Sequence, residues 1–226
     1  MPETALVVMA RYPEPGKTKT RLAQTIGDCE AAALYRAFLI DLANRFVRQS
    51  YLLHWAYTPA EVDFRTFLAT IVPSLAPYMS CFPQHGPDLG ARLLHAFRWT
   101  YQHGFKRTVL IGSDSPQISR EIICQAEYAL NMADVVLGPA EDGGYYLIAM
   151  REPHDVFTGI PMSTSEVLEQ TIQRATEQGL TIKLLESLFD VDESADLARL
   201  AELLEQDASL SPATAAHLAT IRSLHD

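Results

Sequence analysis

Cysteine is scarce: Cys29, Cys81 and Cys124 are the only thiols in 226 residues. They are odd in number, far apart and include no Cys-x-x-Cys pair. That pattern excludes a disulfide framework and a cysteine zinc site, and a reducing cytoplasm is the expected location. Long hydrophobic runs are missing, since none approaches the roughly 20 residues that span a bilayer. Neither a basic segment nor a cleavage pattern marks the short apolar run near the N-terminus as a signal peptide. Positive charge is also in deficit: 18 Lys and Arg stand against 28 Asp and Glu, a formal net charge of −10. Binding along a nucleic-acid backbone wants a net basic face, so nucleic acid is not an expected partner. With no internal repeat and no low-complexity segment, an ordinary apolar content of 48% remains. It suits one sizeable domain over 1–226, with a helical extension at about 194–226. A homo-oligomer is compatible with this composition.

The few cations are not spread evenly. Arg11, Lys17, Lys19 and Arg21 crowd the stretch Ala10 to Leu22, which Pro13, Pro15 and Gly16 keep from being a strand or a helix. An apolar run from Ala5 to Met9 leads in, and an amphipathic pattern follows from Glu30, with Leu34, Phe38, Leu42 and Phe46 four apart. The stretch reads as a loop delivered by a first strand and closed by the start of a helix. Spare N–H groups and the positive end of the helix dipole then lie beside the cations. A guest with several phosphates suits that loop; a merely solvated basic surface is the plain alternative. Gly16-Lys17-Thr18 is not the end of a P-loop, because the glycine needed five positions earlier is Arg11.

Further strands are expected at Tyr51 to Tyr57, near Tyr78 to Phe82, and at Arg107 to Gly112, Asp134 to Gly138, Tyr145 to Met150 and Thr181 to Leu185. Leu89, Leu93, Phe97 and Tyr101 mark a helix stopped by Gly104. Ser119 caps another, with Ile118 and Ile123 as its staple. Helical patterns return at Thr164 to Glu177, around Leu197, Leu200 and Leu204, and after Ser211-Pro212. Strands alternating with helices predict an α/β layer fold with a largely parallel sheet. Ligands of such sheets sit outside the carboxyl ends of the strands. The loops at 11–19, 114–116, 138–144 and 190–192 each follow a strand, so they should meet at one edge.

Those loops carry the candidate chemistry. Asp114, at a strand's carboxyl end, can hold Mg²⁺ or Mn²⁺ or simply organise the turn before Pro116. Asp192 can be a second ligand or a helix cap, and Asp190 competes with it. Asp142, Gly143, Gly144 and Tyr145 allow a close backbone approach to a ligand, while Asp-Gly is equally a hairpin turn. Tyr145 and Tyr146 must face opposite ways on a strand, so at most one reaches a ligand. The Gln84 amide can read a nucleobase edge, Gly90 would let the next helix start pack on the ligand, and Arg92 is either a ligand contact or an ion-pair partner. Ser163, Thr164 and Ser165 bring three hydroxyls to a helix entry. Capping explains one of them; the others can line an acceptor pocket.

Five motifs in order carry a resemblance that covers about residues 4–200. They are Pro13-x-Pro15-Gly16-Lys17-Thr18-Lys19-Thr20-Arg21-Leu22, Asp88-Leu89-Gly90-x-Arg92, Gly112-x-Asp114-x-Pro116, Gly138-Pro139-x-x-Asp142-Gly143-Gly144-Tyr145-Tyr146, and Asp190-Val191-Asp192-x-x-x-Asp196-Leu197. The chain resembles a bacterial glycosyltransferase-like family of the nucleotide-diphospho-sugar transferase superfamily. That family is similar in turn to the guanylyltransferases acting on phospholactate or phosphoenolpyruvate. The resemblance implies a three-layer fold of the GT-A, Rossmann-like type, a mixed and mostly parallel sheet flanked by helices. It also implies that Lys17, Lys19 and Arg21 bind nucleotide phosphates, that Gln84 and Gly90 face the base, and that Asp114 and Asp192 hold the metal. Two departures stand out. Arg11 replaces a usual lysine, and Gly143-Gly144-Tyr145-Tyr146 replaces a Gly-Gly-Thr-Asn acceptor signature, which points to a ring-bearing acceptor rather than a phosphocarboxylate.

Three functions follow as expectations. In nucleotidyl transfer, an acceptor phosphate attacks the α-phosphorus of an NTP and pyrophosphate leaves, with Asp114, Lys19 and Arg21 as the catalytic set. In glycosyl transfer, an NDP-sugar gives its sugar to a small acceptor. Four cations near the first strand favour a triphosphate, and Asp114-Ser115-Pro116 lacks the Asp-x-Asp of many glycosyltransferases of this fold. A nucleotide-binding module without chemistry is the third reading.

Overall fold

The computed structural model describes residues 2–225, with backbone only for 222–225. Alternating burial builds its centre. Along strand β1 (Thr4–Arg11), Leu6, Val8 and Ala10 enter one apolar cluster while Ala5 and Val7 enter another. A strand buried on both faces reads as a continuous apolar run, which is what Ala5 to Met9 displays. The remaining strands are β2 (Leu52–Thr58), β3 (Ser80–Pro83), β4 (Arg107–Ile111), β5 (Val135–Pro139), β6 (Tyr145–Met150) and β7 (Ile182–Leu184). The sheet runs β3-β2-β1-β4-β6-β5-β7, and only β6 is antiparallel to its neighbours.

Helices cover both faces. Leu34, Phe38, Leu42 and Phe46 of α2 (Asp28–Phe46) join the first cluster, with α5 (Arg120–Ala129), α7 (Ser194–Gln206) and α8 (Pro212–His225) on the same side. Leu93 and Phe97 of α4 (Leu89–Gln102) and Ala175 of α6 (Val167–Glu177) join the second. The layers are helix, mixed sheet, helix, as the resemblance implies. Ser119 caps α5 by accepting from Ile122 N, with Ile118 and Ile123 both buried beneath it.

Several expectations shift. A short helix α1 (Thr20–Ile26) intervenes before α2, hinged at Gly27, and α3 (Phe64–Ile71) follows β2 unannounced by any motif. Helix α6 begins at Val167 rather than Thr164, because residues 162–166 form turns. Leu89 and Tyr101 are exposed at the two ends of α4, so only its middle is amphipathic in use. Strand and helix do not alternate throughout either, since β5 and β6 form a hairpin with an irregularity at Gly138/Pro139. Gly138 is required there: a Cβ would lie 2.5 Å from the Tyr146 ring, whose hydroxyl donates to Glu186 O at 3.0 Å. The C-terminal helix is fastened by Asp41 of α2, which accepts from Ala213 N, Thr214 N and Thr214 Oγ1.

Candidate active site

Because β1, β4, β5 and β7 share a direction, the loops that follow them reach one rim. A cleft of about 830 Å³ opens there, lined from all of them and from the segment before α6. Its floor is tied together by Tyr35 of α2. Arg11 N donates to the Tyr35 hydroxyl at 3.0 Å, that hydroxyl lies 2.7 Å from Ser113 Oγ, and Ser113 Oγ donates to Met9 O at 2.9 Å. Ser113 gives its proton to Met9, so Tyr35 must give its own to Ser113. The end of β1 and the turn carrying Asp114 are thereby held in register. Val191 N donates to Asp114 O at 2.9 Å and brings in the loop after β7.

Lys19 lies at the centre. Its backbone is left-handed (φ 50°, ψ 47°) and its side chain is 5% exposed. The ammonium pairs with Asp114 Oδ1, with Asp192 Oδ1 at 2.8 Å, and donates to Val191 O at 2.7 Å. Burial alone would depress this lysine's pKa, yet the facing carboxylates of Asp114 and Asp192 outweigh it and hold it above the ordinary value. Lys19 was expected to bind phosphate; its partners in the fold are the two carboxylates and Val191 O. Asp190 sits behind them, accepting from Ser115 Oγ, and its pKa is pushed up to about 6 by burial and then by Asp114 and Asp142. Of the two competing aspartates, it is Asp192 that shares a partner with Asp114.

The other cations stay at the rim. Arg11 Nη1 donates to Lys17 O, Lys17 pairs with Glu14 at 2.9 Å, and Arg21 lies 3.8 Å from Glu193 with its side chain 70% exposed. Thr18, buried between them, donates to Tyr12 O and accepts from Glu14 N, and so shapes the loop. Gly16 turns the chain beside Asp28. Gln84 lines the cleft with its amide nitrogen donating to Ala10 O and Ala56 O, so only its oxygen remains to meet a ligand. Arg92 also lines it, bonding Gly86 O rather than a carboxylate.

Across the cleft, Asp142, Gly144, Tyr145, Ser163 and Thr164 line the wall. Tyr145 and Tyr146 do take opposite faces, one in each apolar cluster. The Tyr145 hydroxyl is buried, so its ring is what the cleft can use. Two glycines of the expected site make close contacts with protein. At Gly90, expected to face the base, a Cβ would come within 3.1 Å of Phe157, so the residue packs closely on protein. At Gly143 (φ 90°) a Cβ would lie 2.0 Å from Ser165 O, which makes it the docking point of the hairpin on the 162–166 turn.

Tyr35, Ser113 and Thr18 were not foreseen as site residues. One signal was available for Tyr35: a tyrosine on a helix stripe of leucine and phenylalanine must find a partner for its hydroxyl inside the fold. A divalent cation fits the donor set. Asp114 and Asp192 each direct one oxygen at a single positively charged atom, the Lys19 ammonium. Among the described residues no cluster of three or more His, Cys, Asp or Glu forms a cage. Mg²⁺ commonly takes one or two carboxylates and completes its shell with water and phosphate oxygens.

Similar proteins set this geometry in context. Residues 48–164, just over half of the chain, match a family described as uncharacterized proteins conserved in bacteria, DUF2064. No curated protein matches. A structure from Desulfovibrio desulfuricans G20, provisionally named a nucleotide-diphospho-sugar transferase, is 36% identical over 99% of this chain and 98% of its own, with a TM-score of 0.88. At 13% identity and a TM-score of 0.53, CMP-2-keto-3-deoxy-manno-octonic acid synthetase complexed with CTP covers 90% of this chain and 99% of its own. The 4-diphosphocytidyl-2C-methyl-D-erythritol synthase of Anaerococcus prevotii DSM 20548 covers 89% and 96%, at 8% identity and a TM-score of 0.59. The last two share the fold. Within the described residues, no helix is long and apolar enough to cross a membrane. By its matched residues and its full-length likeness to the Desulfovibrio structure, the chain belongs to the bacterial family DUF2064.

Proposed function

We propose that the protein is a metal-dependent transferase that moves a nucleotidyl group from an NTP to a small phosphorylated acceptor and releases pyrophosphate. One observation carries this reading: a single cleft gathers the cations of the loop after β1 with Asp114 and Asp192, and Lys19 of that loop pairs with both carboxylates. Asp114 and Asp192 would hold Mg²⁺ or Mn²⁺, which neutralises charge on the phosphoryl oxygens during transfer. Arg11, Lys17 and Arg21, exposed at the rim, balance the β- and γ-phosphates, and Gln84 offers an acceptor oxygen to a base N–H. The acceptor lies between the Tyr145 ring and the hydroxyls of Ser163 and Thr164. No protein nucleophile is needed: the acceptor's phosphate oxygen bonds to the α-phosphorus as the bond to pyrophosphate breaks. A structure of the same fold is complexed with CTP, a fold-level analogy that agrees with a nucleotide here.

Glycosyl transfer from an NDP-sugar is the second reading, favoured by the name given to the 36%-identical structure and by the Tyr145 ring, which suits a sugar face. Pyrophosphate release with all four NTPs and a panel of sugar phosphates separates the two. Mg²⁺-dependent pyrophosphate from one NTP is the expected result. Free NDP from NDP-sugars without pyrophosphate replaces it with glycosyl transfer. Nucleotide binding that ignores Mg²⁺ and yields no product makes the protein a binding module.

A further inference from the structure

Every hydrogen of the Lys19 ammonium is already committed. It has three donors, and they meet Asp114 Oδ1, Asp192 Oδ1 and Val191 O. As the protein stands, Lys19 has no donor left for a phosphate. A dication shared by the same two carboxylates would sit within a few ångströms of this ammonium, and like charges at that separation repel strongly where water is excluded. Lysine and metal ion therefore cannot both hold the pair in this arrangement. Lys19 stands just before α1 in the left-handed conformation, with its side chain only 5% exposed.

We propose that Lys19 is a resident counter-cation, occupying the metal position in the nucleotide-free protein and yielding it only when a polyphosphate offers its ammonium new partners. The inference rests on the reading of this cleft as a metal–nucleotide site, and it adds an order of events. Metal alone faces a carboxylate pair whose charge Lys19 already halves, and binds weakly. Metal arriving with a triphosphate brings the oxygens that Lys19 needs, so the ammonium turns from carboxylate to phosphate while the ion takes its place. Both roles expected of Lys19 and the aspartates then hold, but at different stages. Lys19 acts here as a positioning residue, and its effect is on metal affinity before any turnover.

The experiment is a Mn²⁺ titration followed by electron paramagnetic resonance, without nucleotide, on the wild type and on Lys19→Asn. Asparagine tolerates the left-handed conformation and is too short to reach Asp114. The variant is expected to bind Mn²⁺ at least tenfold more tightly than the wild type. Equal or weaker binding overturns the proposal. A second measurement needs no variant fold: the ¹H–¹⁵N signal of the wild-type Lys19 ammonium should stay in place with Mg²⁺ alone and shift with Mg²⁺ plus inorganic tripolyphosphate. A shift with Mg²⁺ alone, or none with both, overturns it as well. If neither protein binds Mn²⁺ with or without tripolyphosphate, the metal reading itself falls. Wild-type binding with tripolyphosphate but no gain in Lys19→Asn removes the counter-cation alone.

Discussion

The hydroxyl of Tyr35 on α2 lies 2.7 Å from Ser113 Oγ in the turn before Asp114, with Tyr35 itself 2% exposed. This bond is the link between a core helix and a carboxylate of the candidate site. Tyr35→Phe keeps the ring and its packing but strands the Arg11 N–H and removes the donor to Ser113. An unmade buried bond costs about 1–3 kcal/mol, and at this chain length about 2–4 °C is lost per kcal/mol. Thermal unfolding should therefore fall by several degrees. Turnover should fall further than stability explains, because the Asp114 turn loses its register; turnover equal to wild type at a temperature where the variant is folded would separate Tyr35 from the site.

Asp41 does for the C-terminal helix what Tyr35 does for the site. One buried carboxylate accepts two backbone N–H groups and a hydroxyl at the start of α8, at 2.7–2.8 Å. Asp41→Ala removes a capping interaction and leaves those donors buried, at about 2–4 kcal/mol together. Hydrogen exchange should show α8 losing protection first, with the sheet strands unchanged. Uniform loss across the chain would mean that α8 is not a separable unit.

His54 makes stability depend on pH. It is buried on β2, edge-on to Trp99 and Phe105 at 5.4 and 5.1 Å, with Nδ1 bonded to Ser80 Oγ and Nε2 without a partner. Burial, and then the nearby His103, pushes its pKa down to about 4 from the usual 6.5. A depressed histidine pKa means that the unfolded chain takes up the proton first. Its contribution is intact above about pH 6.5 and is lost as pH falls towards 4, by roughly 3 kcal/mol in all. Urea unfolding should show that slope in the wild type and a flatter one in His54→Phe. Identical slopes would place the acid sensitivity elsewhere.

Much of this was readable in the chain because local patterns and tertiary demands agree. Leu34, Phe38, Leu42 and Phe46 spell one buried stripe, and Tyr145 to Met150 is a strand with the same bounds in the fold. The gathering of four post-strand loops follows from a parallel sheet. What pattern could not supply was pairing. Nothing local distinguishes a lysine that meets phosphate from one that meets two aspartates, and Lys19 finds Asp192 across 173 residues. Nor can glycine alone say what approaches it: Phe157 does at Gly90, Ser165 at Gly143, and the Tyr146 ring at Gly138. Helix α3 went unseen because its eight residues hold barely two turns of pattern.

The cleft's rim cation Arg21 and its carboxylate Asp114 should fail differently. Arg21, 70% exposed and 3.8 Å from Glu193, makes a pair in open solvent, where such pairs contribute about 0–1 kcal/mol. Arg21→Ala should lower the melting temperature by no more than about 4 °C, by the same reasoning. If its work is on the nucleotide, as proposed, KM should rise severalfold, and the rise should shrink at high salt as screening weakens the wild type's advantage. Asp114→Asn keeps the side chain's shape but removes the charge that, on the proposed reading, helps to balance the phosphoryl group, so kcat should drop by about a hundredfold or more. Lys19 keeps Asp192 as a counter-ion, so the fold should survive. Steady-state kinetics at two ionic strengths read both. A loss of kcat in Arg21→Ala with KM unchanged, or a pure KM effect in Asp114→Asn, would exchange the roles of these two residues.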